Sequence, residues 1–167
     1  FAGCQQTQKS TSGMYACLKG PRTSFPLPAY SKRQNCVSTS TTEAEIVAAT
    51  AALKTTGVPI LVVMDLLRKS WELPNPCLQF RLDNTAMIEI IPTGRNLTMR
   101  HLGRTHGVNI AWLHEQCSRA SIKTSYTPSP FWLKFPAAAS FDMVCKLTLN
   151  SQNFVDLFGL GGPGGPR

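Results

Sequence analysis

The chain has 167 residues, of which 43% are hydrophobic and 16% are charged, a balance that excludes a disordered chain and predicts one folded domain. Lys and Arg number 17 against nine Asp and Glu, and the net charge of +8 favours polyanionic partners. The same charge also fits a basic protein that docks on an acidic protein surface. No uninterrupted apolar run is long enough to cross a bilayer, so we expect no membrane span.

Four short runs predict β-strands. Residues 12–18 (SGMYACL) are rich in strand formers, and residues 25–30 (FPLPAY) fit only an edge strand or an extended connection, because proline cannot donate to a ladder. Residues 78–82 (LQFRL) alternate like a strand that delivers Asp83 at its end, and residues 122–126 (IKTSY) form a last strand before a proline.

Helices are predicted between these strands. The hydroxyl cluster at residues 38–42 followed by Glu43 is a helix-start signal, because the hydroxyls cap free backbone N–H groups. We expect this helix to stop at Gly57 and a second one to begin at Pro59. Further helical stretches are predicted at residues 84–91 and 108–117 and, in pieces, over residues 141–158.

The six cysteines are scattered, with no C-x-x-C pair and no histidine at zinc-ligand spacing beside them. The even count allows three disulfides, but a domain with an ordinary core does not need them, and we recognise no secretory signal. We therefore expect free thiols and an intracellular, reducing compartment, whether cytoplasm, nucleus or organelle.

This order of strands and helices predicts a mixed α/β sheet with helices packed on it. We expect one domain over residues 1–158. Residues 159–167, which are rich in Gly and Pro, are predicted to form a tail outside the packed domain.

Three acids stand at informative positions. Glu45 lies near the start of a predicted helix, Asp83 at the carboxyl end of a strand, and Asp142 near the start of a late helix. Acids that converge at such an edge would make an oxygen-ligand site for Mg²⁺. The alternative is that Glu45 caps its helix and the other two are ordinary surface acids.

The stretch SKRQNCVSTSTTEAE at residues 31–45 resembles the S-K-K-Q-x-x-V-S-x-S-S-T-E-A-E segment of Copia-type retrotransposon ribonuclease H domains. The resemblance is specific, because it joins a basic strand end, a Ser/Thr-rich loop and an E-A-E helix start. In that family the second glutamate of E-A-E is a metal ligand, and it corresponds to Glu45.

Other segments are similar to the family in the same order, over roughly residues 1–146. Residues 82–84 (LDN) are similar to its C-D-N, which makes Asp83 the next ligand, and residues 141–146 (FDMVCK) fit its A-D-I-x-T-K, which makes Asp142 the last. The remaining similar segments are residues 1–4 (FAGC), 9–13 (KSTSG), 104–106 (RTH) and 122–128.

Departures from the family pattern accompany these matches. Phe1 stands where the family has the Trp of W-A-G-C, so its first aspartate falls before this chain begins, together with the strand that carries it, which is normally central in the sheet. The family's acid in H-I-D-I is replaced by Asn109. Without that strand we expect a poorly stable domain that borrows a strand or a partner surface.

The resemblance implies a ribonuclease H-like fold that cleaves the RNA strand of RNA–DNA hybrids. Mg²⁺ would be held by Glu45, Asp83, Asp142 and the missing aspartate. The alternative is a non-catalytic subunit, re-used in a larger assembly, whose charge serves acidic protein or RNA surfaces.

Basic residues flank the proposed site and could follow a nucleic-acid backbone, although a solvated basic face fits them equally well: Lys32, Arg33, Arg100 and Arg104. The three histidines, His101, His106 and His114, could touch phosphate, but surface or helix-capping positions are the expectation.

Overall fold

The computed structural model describes residues 6–19, 24–71, 75–127 and 144–150, the last of these as backbone only. Two strands, a long helical segment and a third strand come first: β1 (Thr11–Lys19), β2 (Ser24–Arg33), α1 (Thr41–Ala52), a π-helical turn (Leu53–Gly57), α2 (Val58–Trp71) and β3 (Leu78–Leu82). There follow α3 (Thr85–Thr93), a 3₁₀ turn (Leu97–Met99), α4 (Leu102–Thr105), α5 (Ile110–Cys117), β4 (Ile122–Tyr126) and β5 (Val144–Asn150). The predicted mixed α/β class is confirmed.

Five strands of the described chain form one mixed sheet in the order β2-β1-β5-β3-β4. β1 is antiparallel to β2 and parallel to β5, while β3 is antiparallel to β5 and parallel to β4. β2 therefore lies at an edge of the sheet, with β1 as its single neighbour. Its two prolines, Pro26 and Pro28, have no N–H group to donate, so only the ladder with β1 can lose hydrogen bonds. The prediction of an edge strand over residues 25–30 is confirmed.

The central place in the sheet belongs to β5, which the sequence did not predict. Residues 144–150 pair with Gly13–Lys19 of β1 on one side and with Leu78–Arg81 of β3 on the other. The expectation of helical pieces there was wrong for Val144–Asn150. Open ladders on β1 and β3 would leave backbone N–H and C=O groups unpaired, which favours extended pairing of any segment that can reach them.

The first helix does not stop at Gly57, and this prediction was wrong. α1 continues through the π-helical turn into α2, with Val58 in ordinary right-handed geometry. Pro59 is the second residue of α2 and lies inside this continuous helix, where it cannot donate a hydrogen bond to the preceding turn. The π-helical turn directly before it is the kind of irregularity that accompanies a proline within a helix.

The resulting helix, Thr41–Ser70, is long and apolar enough to cross a membrane by length and composition alone. Half of the apolar 18-residue stretch of this helix is nevertheless buried inside the protein. That burial is typical of a core helix in a globular domain, and we interpret it so.

The core lies between the sheet and its helices. Along β3 the side chains alternate, with Leu78, Phe80 and Leu82 buried and the residues between them half-buried. Ile46 of α1 and Leu53 of the π-helical turn are fully buried in the same cluster. This packing brings the start of α1 towards the sheet and so decides where Glu43 and Glu45 lie.

Candidate functional site

The N-terminus of α1 is fixed by a local cap. Ser40 is the N-cap residue, and its Oγ accepts a hydrogen bond of 3.2 Å from the backbone N–H of Glu43. Glu43 in turn accepts hydrogen bonds from the backbone N–H and the hydroxyl of Thr39. The predicted helix start is confirmed, and the exchange of bonds between Ser40, Thr39 and Glu43 resembles a capping box.

Gln34, which directly follows β2, is buried and hydrogen-bonds to three parts of the site. Its Nε2 donates to Ser12 Oγ at 3.0 Å and to the Ala44 carbonyl at 2.9 Å. The hydroxyl of Ser38 donates to its Oε1 at 3.1 Å. The amide therefore ties β1, the hydroxyl-rich loop and the first turn of α1 together, next to Glu45. The sequence analysis included Gln34 in the quoted motif but gave it no role.

Replacing Gln34 by leucine should destabilise the fold by roughly 2–4 kcal/mol, because the buried groups that bond to Gln34 would lose their hydrogen-bond partner. Urea denaturation of the full chain measures this. The exposed Gln6→Leu variant is the control and should change the free energy of unfolding little. Equal stabilities for the Gln34→Leu variant and the wild type would show that the hydrogen bonds of Gln34 contribute nothing net.

Glu45 and Asp83 are brought to one site by different elements. Asp83 follows β3 directly, and the next residue, Asn84, caps α3 by accepting a 3.0 Å hydrogen bond from the Met87 N–H. Glu45 lies on the buried side of α1 and is 3% exposed. Its Oε2 is buried and has no hydrogen-bond partner.

The electrostatics of this pair are unusual. Burial, and after it the negative charge of Asp83, raises the pKa of Glu45 from 4.5 to about 8. An interaction of that kind requires the two carboxyl groups to be near each other. The structure therefore brings together two of the three acids that the sequence singled out, while Asp142 lies outside the described residues.

The donor set fits a hard divalent cation such as Mg²⁺. A buried carboxylate oxygen without a hydrogen-bond donor, beside a second carboxylate, is the arrangement that a cation would neutralise. Within the described ranges, no group of three or more His, Cys, Asp and Glu side chains could hold a metal. The described part of the site is thus an acid pair.

A second cluster, formed by Glu43, His101 and His106, was not predicted from the sequence. His101 Nε2 lies 3.3 Å from Glu43 Oε1, and His106 Nε2 lies 3.0 Å from the same oxygen without meeting hydrogen-bond geometry. Burial raises the pKa of Glu43, but the hydrogen bonds from Thr39 and His101 outweigh it and hold the pKa below its usual value. The cluster ties the start of α1 to the region around α4.

Two of the histidines occupy cap positions of α4, one of the two kinds of place expected for them: His101 is its N-cap residue and His106 its C-cap residue. The side chain of His106 is only 2% exposed, whereas that of His101 is 41% exposed. His114 is half-buried, with Nδ1 2.9 Å from the Ile91 carbonyl. A contact between positions 43 and 106 has no local signal, and only the folded chain reveals it.

Asn109, which stands where the resembling family has an acid, caps α5. Its Oδ1 accepts hydrogen bonds from the N–H groups of Ala111 at 2.9 Å and Trp112 at 3.2 Å. Asn and Asp serve about equally well at an N-cap. This departure from the family pattern therefore preserves a structural role.

The four basic residues proposed to follow a nucleic-acid backbone are all exposed: Lys32, Arg33, Arg100 and Arg104. Lys32 and Arg33 end β2 and line an open groove of about 720 Å³ beside α1. Arg104 lies in α4, and Arg100 just before it. None of the four forms an ion pair with another described residue, so their charges are available to a partner.

The described cysteines Cys36, Cys77 and Cys117 are free thiols, as expected. Comparison of the chain with protein-family models, with curated proteins and with solved structures found no match.

Proposed function

We propose that this chain is a ribonuclease H-like domain of retrotransposon origin that binds nucleic acid and holds Mg²⁺ at Glu45 and Asp83. The observation that carries the proposal is the buried Oε2 of Glu45, which lacks a hydrogen-bond partner, together with the charge of Asp83 at the carboxyl end of β3, which raises the pKa of Glu45. Sites of α/β sheets are found at that end of the strands.

The residues of the pair have distinct tasks. Asp83 is placed between β3 and the capped start of α3, which holds its backbone in position. Glu45 sits on a helix whose first turn is held by Gln34, and it gives up its proton when a cation replaces it. When bound, Mg²⁺ would activate a water and stabilise the leaving oxygen in phosphodiester cleavage. Asp142 stays the predicted further ligand.

The exposed basic residues support binding to a nucleic-acid backbone. Lys and Arg side chains that release counterions from phosphates supply a salt-dependent affinity that does not depend on base sequence. Hybrids would be recognised by backbone shape and the 2′-hydroxyl. The proposed contacts are Lys32, Arg33, Arg100 and Arg104.

The test compares binding and cleavage of a labelled RNA–DNA hybrid and of duplex DNA by the 167-residue chain in Mg²⁺. We expect salt-dependent binding that prefers the hybrid, and little or no cleavage, because the sequence supplies three of the family's four carboxylates: Glu45, Asp83 and Asp142. The double variant Arg100→Gln with Arg104→Gln should bind about tenfold or more weakly, whereas Lys123→Gln on β4 should not.

One result would contradict this proposal, and another would contradict the expected lack of cleavage. Equal affinity for the hybrid and for duplex DNA would show that the chain does not recognise hybrids specifically. Robust hybrid cleavage, abolished in Asp83→Asn, would contradict the expectation of weak activity and make the chain an active nuclease.

The second candidate is a non-catalytic subunit of a larger assembly, with acidic protein or RNA neighbours. The observation that favours it is β5, which takes the central place that the family gives to the strand with its first metal ligand. On this account, Asp83→Asn leaves nucleic-acid binding and its response to Mg²⁺ unchanged.

A further inference from the structure

The open groove beside α1 has a chemistry of its own. Tyr30 and Lys32 are two residues apart on the edge strand β2, so they lie on the same side of the strand, and they form one wall. Val47 and Lys54, two turns apart on α1 and the π-helical turn, form the other wall, and the loop after α4 closes one end with Val108. The groove encloses about 720 Å³, within the range of small-molecule sites.

Its charge is entirely positive among the described lining residues. Lys32, Arg33 and Lys54 line it, and no Asp or Glu does. The Lys54 ammonium lies 5.0 Å from the centroid of the Trp112 ring, so an aromatic face orients it and no described carboxylate neutralises it. Tyr30, Val47 and Val108 add aromatic and apolar surface to the lining, beside hydroxyl and amide side chains such as Thr50 and Asn35. Such a site suits a ligand with one anionic end and one flat apolar part.

The groove is separate from the acid pair. Val47 and Glu45 are two residues apart on one helix, about 200° around its axis, so they point to opposite sides. Glu45 is buried towards the core, whereas Val47 faces the groove, and neither Glu45 nor Asp83 lines it. A ligand here would not compete with a cation at the acid pair.

We propose that this groove binds a nucleotide, with its phosphate held by Lys32, Arg33 and Lys54 and its base against Tyr30 and Val108. Hydrogen bonds from charged donors to phosphate are about twice as strong as neutral ones, which makes the phosphate the main determinant. The base adds contact with an aromatic ring. The proposal shares Lys32 and Arg33 with the proposed nucleic-acid contacts, whereas Lys54 belongs to the groove alone and none of the three cations belongs to the acid pair.

The experiment measures adenosine monophosphate, adenosine and inorganic phosphate binding to the full chain by isothermal titration calorimetry. We expect the monophosphate to bind at least about tenfold more tightly than either fragment. Lys54→Gln and Lys32→Gln should each weaken it about tenfold or more while Tm stays unchanged. Lys123→Gln, an exposed cation on β4, and Glu45→Gln should bind as the wild type does.

Adenosine binding as tightly as the monophosphate would overturn the assignment of the three cations. Inorganic phosphate that binds as tightly as the monophosphate would show that the base contributes nothing to binding. Equal weakening by Lys123→Gln would reduce the effect to net charge, and no binding of any probe would leave the groove without this function. Normal monophosphate binding by a chain that neither binds hybrid nor responds to Mg²⁺ would separate this proposal from the nuclease-like one.

Discussion

Replacing Leu147 by proline should abolish the cooperative unfolding transition of the chain. Leu147 pairs with Ala16 of β1 and with Phe80 of β3, at the centre of the sheet. Proline has no N–H to donate and is excluded from central strands, and its ring disturbs the ladder on both sides. A loss of roughly 3 kcal/mol or more is a large part of the total stability of a domain this size.

The measurement is thermal unfolding followed by circular dichroism, with light scattering to detect aggregation. Leu147→Val is the matched control, because it keeps the backbone N–H and favours an extended strand. We expect the valine variant to unfold cooperatively and the proline variant to be poorly soluble or to unfold without a transition. A Leu147→Pro variant as stable as the wild type would show that residues 144–150 are not the strand that completes the sheet.

Replacing Glu45 by glutamine should stabilise the fold near pH 8 and change it little below about pH 4.5. Burial and the nearby Asp83 raise the pKa of Glu45 from 4.5 to about 8 in the folded protein. Between these values the folded state holds a proton that the unfolded state has lost. Stability therefore falls as pH rises through this window, and the loss levels off above pH 8.

Glutamine is neutral and nearly the same shape, so it removes this pH-dependent loss. The gain at pH 8 should be on the order of a few kcal/mol, because each unit of pKa shift corresponds to about 1.4 kcal/mol. Asp83→Asn should give part of the same gain by removing the repelling charge. The exposed Glu89→Gln on α3 is the control and should leave the pH profile unchanged.

Urea denaturation between pH 4 and pH 9 measures these profiles (the range brackets both pKa values). A Glu45→Gln variant that is less stable than the wild type at pH 8 would mean that the carboxylate makes favourable interactions there. That result would show that the ionised Glu45 is not destabilised beside Asp83, and the reason to expect a cation at this pair would then be lost.

Elements with local signals could be predicted from the sequence. The hydroxyl cluster before Glu43 caps α1, the alternation of residues 78–82 makes β3, and Asn109 caps α5. Each of these signals acts over a few residues, where propensity, capping and side-chain period decide the backbone. Gly57 is different, because the packed helix on both sides overrides the local cost of a glycine.

Contacts between distant segments could not be predicted. Nothing local says that residues 144–150 enter the sheet between β1 and β3, since this depends on which ladders remain open elsewhere. The convergence of His101 and His106 on Glu43 likewise depends on how α4 packs against α1. The proximity of Glu45 and Asp83 could be expected, because strand ends and helix starts meet at the same edge of an α/β sheet.

The most direct test of the account is the pKa of Glu45, read from its side-chain carboxyl carbon by ¹³C NMR without and with millimolar Mg²⁺. Without the cation we expect a pKa of about 8, against 4.5 for an ordinary glutamate. With it, the pKa should fall by about one unit or more, because a bound cation favours the ionised carboxylate. In Asp83→Asn the starting pKa should be lower and the effect of Mg²⁺ smaller. A pKa near 4.5, or one that Mg²⁺ does not change, would contradict the assignment of Glu45 and Asp83 as a metal-binding pair.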